Sequence, residues 1–141
     1  MQVNEVTGHI VDATLKVHTA LGPGLLESAY EACLAFELRD RGLAVIRQAE
    51  LPVVYRDVKL DLGYRLDLLV ENQVIVELKA VEKMIPLYEA QILSYLKLSG
   101  LSVGFLLNFN VRRMKNGIKR FVNQLPEHQS PSLPESKLPP L

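Results

Sequence analysis

The chain has 141 residues, of which 48% are hydrophobic and 23% are charged, as is usual for a soluble globular domain. Its sixteen basic and sixteen acidic residues cancel, so any polyanionic partner must bind a local patch rather than the field of the whole molecule. No apolar run has the length of a membrane span and no signal peptide is recognisable, so a cytoplasmic location without membrane contact is expected.

Two helices are predicted at the start of the chain. Apolar residues recur at helical intervals over residues 3–20 and again over residues 25–41, and glycine follows each segment. His18 lies near the end of the first helix, where a capping or packing role competes with a role as a ligand. The apolar face predicted for the second helix comprises Leu26, Ala29, Tyr30, Cys33, Leu34 and Leu38. Cys33, the single cysteine, is therefore expected in the core.

Glu27 and Tyr30 lie one turn apart in the second helix. An acidic residue in a first turn complements the positive end of the helix dipole, which alone would explain Glu27. The alternative is that Glu27 points toward the strands that follow and supplies a carboxylate there.

Three antiparallel strands are predicted next. Residues 44–55 form the first, with Pro52 at an edge or a bulge, and residues 58–62 lead into a hairpin. The hairpin strands, residues 64–70 and 74–80, are separated by a polar three-residue turn.

The hairpin carries charged residues inside apolar runs. If Val70 pairs with Val74, Asp67 lies opposite Glu77, and Lys79 shares the face of Glu77. Facing carboxylates destabilise a sheet unless a cation lies between them, which favours a hard ion, Mg²⁺ or Mn²⁺. The alternative is a same-face ion pair on an exposed edge strand. The apolarity of both strands instead favours a central sheet covered on both faces.

A third helix is predicted over residues 86–98, and a buried strand over residues 103–109. Gln91 and Tyr95 share one face of that helix, and their expected partners are a phosphate or the acidic patch; the alternative is that they bond the neighbouring backbone.

Basic residues cluster after the last predicted strand, with no acid among them, and form either a solvated rim or a phosphate-binding track: Arg112, Arg113, Lys115, Lys119 and Arg120. From residue 123 the chain is rich in proline and without periodicity. A single domain over residues 1–122 and a disordered tail over residues 123–141 are expected.

The segments VHTALGPGLLESAYE, GYRLDLLVE, VIVELKAVE and EAQILSYLKL resemble the GxxExxY protein family, within the PD-(D/E)XK nuclease superfamily. The resemblance implies an α/β (α+β) fold with a restriction-endonuclease-like core. Its elements would follow the order α-α-β-β-β-α-β, with a mixed central sheet flanked by helices.

The resemblance also implies roles for the hairpin residues. Asp67 and Glu77 would bind the metal together with the carbonyl of Leu78, and Lys79 would position or help to deprotonate the attacking water. Glu27 matches a helix carboxylate that is directed at the metal.

On the third helix, Gln91 and Tyr95 would orient the substrate or Lys79. Tyr88 departs from the histidine expected in the family, and Leu66 stands where the superfamily motif has proline. His18 falls in a segment that the family shares, so a role in the site stays open for it as well as for Tyr30.

Two nucleic-acid functions are compatible with these residues, and a structural protein with unrelated partners stays open as a third alternative. The first is a Mg²⁺- or Mn²⁺-dependent nuclease that hydrolyses nucleic-acid phosphodiester bonds. The second is a catalytically silent nucleic-acid-binding or assembly module on the same fold, favoured by the small size and zero net charge. In both, the expected partner is nucleic acid, with DNA favoured over RNA, and the sequence leaves open whether the chain forms a homodimer.

Overall fold

A computed structural model describes residues 1–123, so the tail predicted for the remainder lies outside the described residues. The predicted fold class is confirmed: two helices, α1 (Val3–Leu21) and α2 (Glu27–Asp40), precede strands that form a mixed sheet. In the part of the chain described, no helix combines the length and apolarity needed to cross a membrane.

Five strands form the main sheet in the order β1-β4-β5-β6-β7. Their bounds are β1 (Val45–Glu50), β4 (Arg65–Val70), β5 (Val74–Lys79), β6 (Val103–Asn108) and β7 (Ile118–Val122). The β5–β6 pair is parallel, and the other neighbours are antiparallel. Helix α3 (Pro86–Ser99) makes the crossover between β5 and β6, as a parallel connection requires.

The first predicted strand is divided in the structure. Strand β1 ends at Glu50, and β2 (Val53–Tyr55) pairs with β3 (Val58–Leu60) as a separate hairpin. Pro52, which has no N–H to donate, lies in the break between them.

Strand β7 was not predicted as a strand. Lys119 and Arg120 interrupt its apolar alternation, because β7 is an edge strand of the sheet and their side chains are exposed.

The sheet separates two hydrophobic clusters. Alternate residues of β4, β5 and β6 face α1 and α2 on one side, and the intervening residues face α3 on the other. The sheet is therefore central and covered on both faces, as the apolarity of its strands predicted.

The buried face of α2 differs from the predicted one. It comprises Tyr30, Glu31, Leu34, Ala35 and Leu38, whereas Leu26 is 78% exposed and Cys33 is exposed. The expectation that Cys33 lies in the core was wrong, because the helix packs with its face rotated by about one residue from the predicted stripe.

The turn between α1 and α2 is fixed by Tyr30. Its hydroxyl donates to the carbonyl of Gly22 at 2.6 Å and accepts from the N–H of Leu25 at 3.1 Å. Its ring stacks on Phe109 with the ring centroids 4.5 Å apart. Gly22 has a φ of 68°, a left-handed conformation that glycine adopts without strain.

Candidate active site at the open end of the β4–β5 hairpin

The predicted hairpin register is confirmed, and the hairpin pairing ends just before the charged residues. Val70 pairs with Val74 and Leu68 with Val76, but no ladder pair follows. Continued pairing would place Leu78 opposite Leu66; instead, the Leu78 N–H donates to Oδ2 of Asp67 at 2.9 Å. The N–H of Asp67 in turn donates to Oε2 of Glu77 at 2.7 Å. The two carboxylates thus replace main-chain acceptors where the strands part.

Each strand leaves the hairpin for its other neighbour. Leu66 pairs with Ala49 on β1, and Leu78 pairs with Leu107 on β6. The N–H and C=O of one residue in a strand point to the same side, so the carbonyl of Leu78 faces the opening that its N–H faces. Carboxylate and carbonyl oxygens therefore converge between the parting strands.

Burial raises the pKa of three carboxyl groups near this opening. Desolvation, followed by the negative charge of Asp67, raises the pKa of Glu77 to about 8. Desolvation also raises the pKa of Asp67, although the hydrogen bond from Leu78 opposes the change. The pKa of Glu27 is raised by desolvation and then by the charge of Asp67, so Glu27 on α2 lies close enough to sense the pair. Each of these three carboxylates thus interacts electrostatically with at least one of the others.

Lys79 supplies a positive charge beside the carboxylates without a direct ion pair in residues 1–123. Its charge partly offsets the pKa increases of Asp67, Glu77 and Glu27. The ammonium lies 4.5 Å from the centroid of the Tyr88 ring, a cation–π geometry. Tyr88, the residue that departs from the family pattern, therefore contacts the proposed catalytic lysine.

Sequence reasoning missed a polar chain behind Asp67. Oε2 of buried Glu31 contacts both Nε and Nη2 of Arg47 at 3.1 Å. Oε1 of Glu31 accepts from Nε2 of Gln48 at 2.7 Å, and the same nitrogen lies 3.4 Å from Oδ1 of Asp67. Because both contacts are to carboxylate oxygens, they fix the orientation of the Gln48 amide.

Gln48 has a φ of 52°, the left-handed region that a non-glycine residue occupies at a cost. Near Gln48, the regular alternation of side chains between the two faces of the sheet is interrupted in both β1 and β4. On β1, Val45 packs in the cluster under α1 and α2 and Ala49 in the cluster under α3. On β4, Leu68 and Leu66 divide in the same way on either side of Asp67. The strained backbone thus accompanies a local twist that turns Asp67 toward the opening.

Signals for these missed residues exist in the sequence. Glu31 follows Glu27 by one helical turn, and Gln48 is the position opposite Asp67 once the β1–β4 register is known. The left-handed φ has no local signal, since residue 48 is neither glycine nor asparagine.

Gln91 and Tyr95 lie on α3, on the side of the molecule that Glu77 and Lys79 face. The Tyr95 ring centroid is 6.2 Å from that of Tyr64, which immediately precedes β4. Desolvation, followed by the charge of Glu77, raises the pKa of Tyr95. Both predicted α3 residues line one pocket, which Tyr64 also lines.

Asn108, at the end of β6, holds the segment that follows Lys79. Its side-chain amide accepts from the N–H of Val81 at 3.1 Å and donates to the carbonyl of Val81 at 3.0 Å. The N–H of Phe109 donates to the carbonyl of Lys79 at 2.9 Å. The backbone around Lys79 is therefore fixed by β6, and sequence reasoning did not single out Asn108.

His18 and Tyr30 have structural bonds. Nε2 of buried His18 lies 2.7 Å from the carbonyl of Val111, and Tyr30 fixes the α1–α2 turn described above. These contacts account for both residues without a role in the chemistry.

The five basic residues do not form one surface. Arg112, Arg113 and Lys115 are exposed in the segment after β6. Lys119 bonds both carboxylate oxygens of Glu89 on α3 at 2.9 Å, whereas Arg120 lies on the α1 side of the sheet. Consecutive strand residues point to opposite faces, so a continuous track of all five is absent from the described chain.

Over residues 1–123, no group of three or more His, Cys, Asp or Glu side chains is arranged to hold a metal ion. The predicted set has two carboxylates and the Leu78 carbonyl. Hard oxygen donors of this kind fit Mg²⁺ or Mn²⁺, which keep several waters of their own. The donor chemistry is therefore compatible with a divalent cation.

The helices, the mixed sheet and the paired carboxylates where two strands part define a restriction-endonuclease-like α/β domain. A family comparison matches residues 4–121 to the PD-(D/E)XK nuclease superfamily. The chain belongs to that superfamily. Neither the curated proteins nor the solved structures yielded a match. The narrower assignment to the GxxExxY family stays a prediction.

Proposed function

We propose that this protein hydrolyses nucleic-acid phosphodiester bonds with Mg²⁺ or Mn²⁺ as its cofactor. The observation that carries the proposal is the pair of inward carboxylates, Asp67 and Glu77, held where β4 and β5 part. Burial raises the pKa of both carboxyl groups, and the charge of Asp67 further raises the pKa of Glu77, so a divalent cation would stabilise the charged forms.

Asp67, Glu77 and the carbonyl of Leu78 would hold the ion, with Glu27 directed toward it from α2. When bound, such an ion polarises a phosphoryl oxygen and lowers the pKa of its water. Lys79 would position the attacking water and place a fixed positive charge near the developing phosphate charge. Tyr88 contacts the Lys79 ammonium, the N–H of Phe109 donates to the Lys79 carbonyl, and Asn108 holds Val81, two residues further along the chain.

Substrate contacts would come from two places. Gln91 and Tyr95 would orient the strand beside the carboxylates. The exposed Arg112, Arg113 and Lys115 would contact phosphates, with DNA preferred over RNA. Such contacts release counterions, so binding should weaken steeply with salt.

The test is cleavage of plasmid, single-stranded DNA and RNA with Mg²⁺, with Mn²⁺ and with chelator. We expect Glu77→Gln and Lys79→Ala to reduce the rate by at least about 10²-fold, and the exposed Lys83→Ala to leave it unchanged. Equal rates for Lys79→Ala and the unmodified protein would reject the proposal. Metal-independent binding with no product would instead support the silent module.

A further inference from the structure

A pocket of about 480 Å³ lies between α3, strand β2 at Val53 and the segment that follows β3 at Leu62 and Tyr64. Its volume is within the range of small-molecule sites. Tyr64 and Tyr95 form part of its wall, together with Leu62, Leu87 and Leu98. Tyr64 is 46% exposed and Leu87 57% exposed, so the pocket opens to solvent.

The pocket has polar groups but no charged side chain. Gln91 and Ser94 line it from one face of α3, and neither side chain has a hydrogen-bond partner in the described chain. The hydroxyls of Tyr64 and Tyr95 are likewise unpaired among residues 1–123. An uncharged lining does not suit a phosphate, whereas aromatic faces with a free amide and hydroxyls suit a planar heterocycle with a polar edge.

One contact and two sequence spacings relate the pocket to the residues of the proposed chemistry. On α3, Tyr88 lies under the Lys79 ammonium, and Gln91 and Tyr95 follow at intervals of three and four residues along the same face. On the sheet, Tyr64 precedes Asp67 by three residues. A nucleotide whose phosphate lay at the carboxylates would have this pocket within reach of its base.

We propose that this pocket binds one unpaired nucleobase of a single-stranded nucleic acid, stacked on Tyr64, with its edge toward Gln91 and Ser94. The inference rests on the proposed function and narrows its substrate to single-stranded or locally unpaired nucleic acid. Stacking on an aromatic side chain accepts any base, so recognition here is of an exposed base and not of a sequence.

The experiment measures binding of a fluorescein-labelled single-stranded DNA oligonucleotide by anisotropy, in chelator so that no cleavage occurs. We expect Tyr64→Leu to weaken binding about tenfold and Tyr64→Phe to leave it unchanged, because stacking needs the ring and not the hydroxyl. Tyr55→Leu, at a tyrosine that is 65% exposed on β2 and outside the pocket, is the matched control and should bind normally.

A second measurement changes only the ligand. Oligonucleotides in which one nucleotide at a time is abasic should show one position where the unmodified protein binds about tenfold more weakly, and Tyr64→Leu should abolish that dependence. Duplex binding as tight as single-stranded binding, no binding of the oligonucleotide at all, or equal affinities for Tyr64→Leu and Tyr55→Leu would overturn the inference. If Lys79→Ala loses cleavage but retains base-dependent binding, the result supports this base site independently of the catalytic proposal.

Discussion

The two ends of the β4–β5 hairpin consist of the same two strands but differ in the groups that accept the backbone hydrogen bonds. At the closed end, residues 68–70 pair backbone to backbone with residues 74–76, and their side chains fill the core on both faces. At the open end, the carboxylates of Asp67 and Glu77 accept the main-chain N–H groups. The site lies where the sheet gives up regular pairing, so its acids are also structural acceptors. We therefore expect replacement of either acid to change stability as well as the proposed chemistry, and isosteric variants are needed to separate the two.

The largest effect on stability is expected at the closed end. Leu68 is 0% exposed, so Leu68→Ala removes buried methyl groups and should lower the free energy of unfolding by about 2–5 kcal/mol. Urea denaturation measures this loss. Leu93→Ala, at a leucine that is 40% exposed on α3, should cost less than about 1 kcal/mol. Equal losses of unfolding free energy in the two variants would show that Leu68 is not packed as a core residue.

The open end should make stability depend on pH. The pKa of Glu77 is about 8 in the folded protein against an ordinary value of 4.5, so the folded state keeps a proton that the unfolded state loses. This contribution is complete below pH 4.5 and disappears as the pH rises through 8. In chelator, the melting temperature should fall by several degrees between about pH 5 and pH 8.

Glu77→Gln should reduce that slope, although the raised pKa values of Asp67 and Glu27 keep part of it. Glu82→Gln, at an exposed position, is the matched control. A slope unchanged by Glu77→Gln would mean that Glu77 is charged in the folded protein. Adding Mg²⁺ should flatten the dependence, because an ion bound to the charged carboxylates stabilises the folded state.

The smallest effect is expected behind the site, at Gln48. Removing its amide frees Oδ1 of Asp67, so Gln48→Ala should raise the Mg²⁺ concentration for half-maximal cleavage about tenfold. Gln48→Gly should show the same change but be more stable than the alanine variant by about 1 kcal/mol, since glycine tolerates the left-handed φ. Gln73→Ala, in the hairpin turn, serves as the control. An unchanged Mg²⁺ requirement would limit Gln48 to a structural role.

Much of the fold was predictable because its signals are local. Apolar alternation and a short polar turn predicted the hairpin and its register, and proline and glycine predicted the ends of α3. The β1–β2 break and β7 were missed for a common reason. Short or edge strands place few of their residues in the core, so their sequences lack a clear alternation of apolar and polar residues.

The site was predictable only in part. The hairpin register singled out Asp67, Glu77 and Lys79 as candidates, and the resemblance to the GxxExxY family singled out Glu27. Glu31, Gln48 and Asn108 could not be found in this way, because each acts through contacts distant in sequence. Lys119 and Arg120 also show that the tertiary structure determines which residues of an exposed loop or strand share a surface.

Tyr30 has a geometric consequence for Glu27. By bonding Gly22 and Leu25 it sets the point at which α2 begins, and the carboxylate sits in the first turn counted from that point. One residue inserted between Glu27 and Tyr30 would rotate the carboxylate by about 100° around the helix axis relative to the tyrosine. The spacing of the glycine, the glutamate and the tyrosine thus fixes the direction of the Glu27 carboxylate. Tyr30 sets where the helix starts, and Glu27 lies at a fixed angle from Tyr30 around the helix axis.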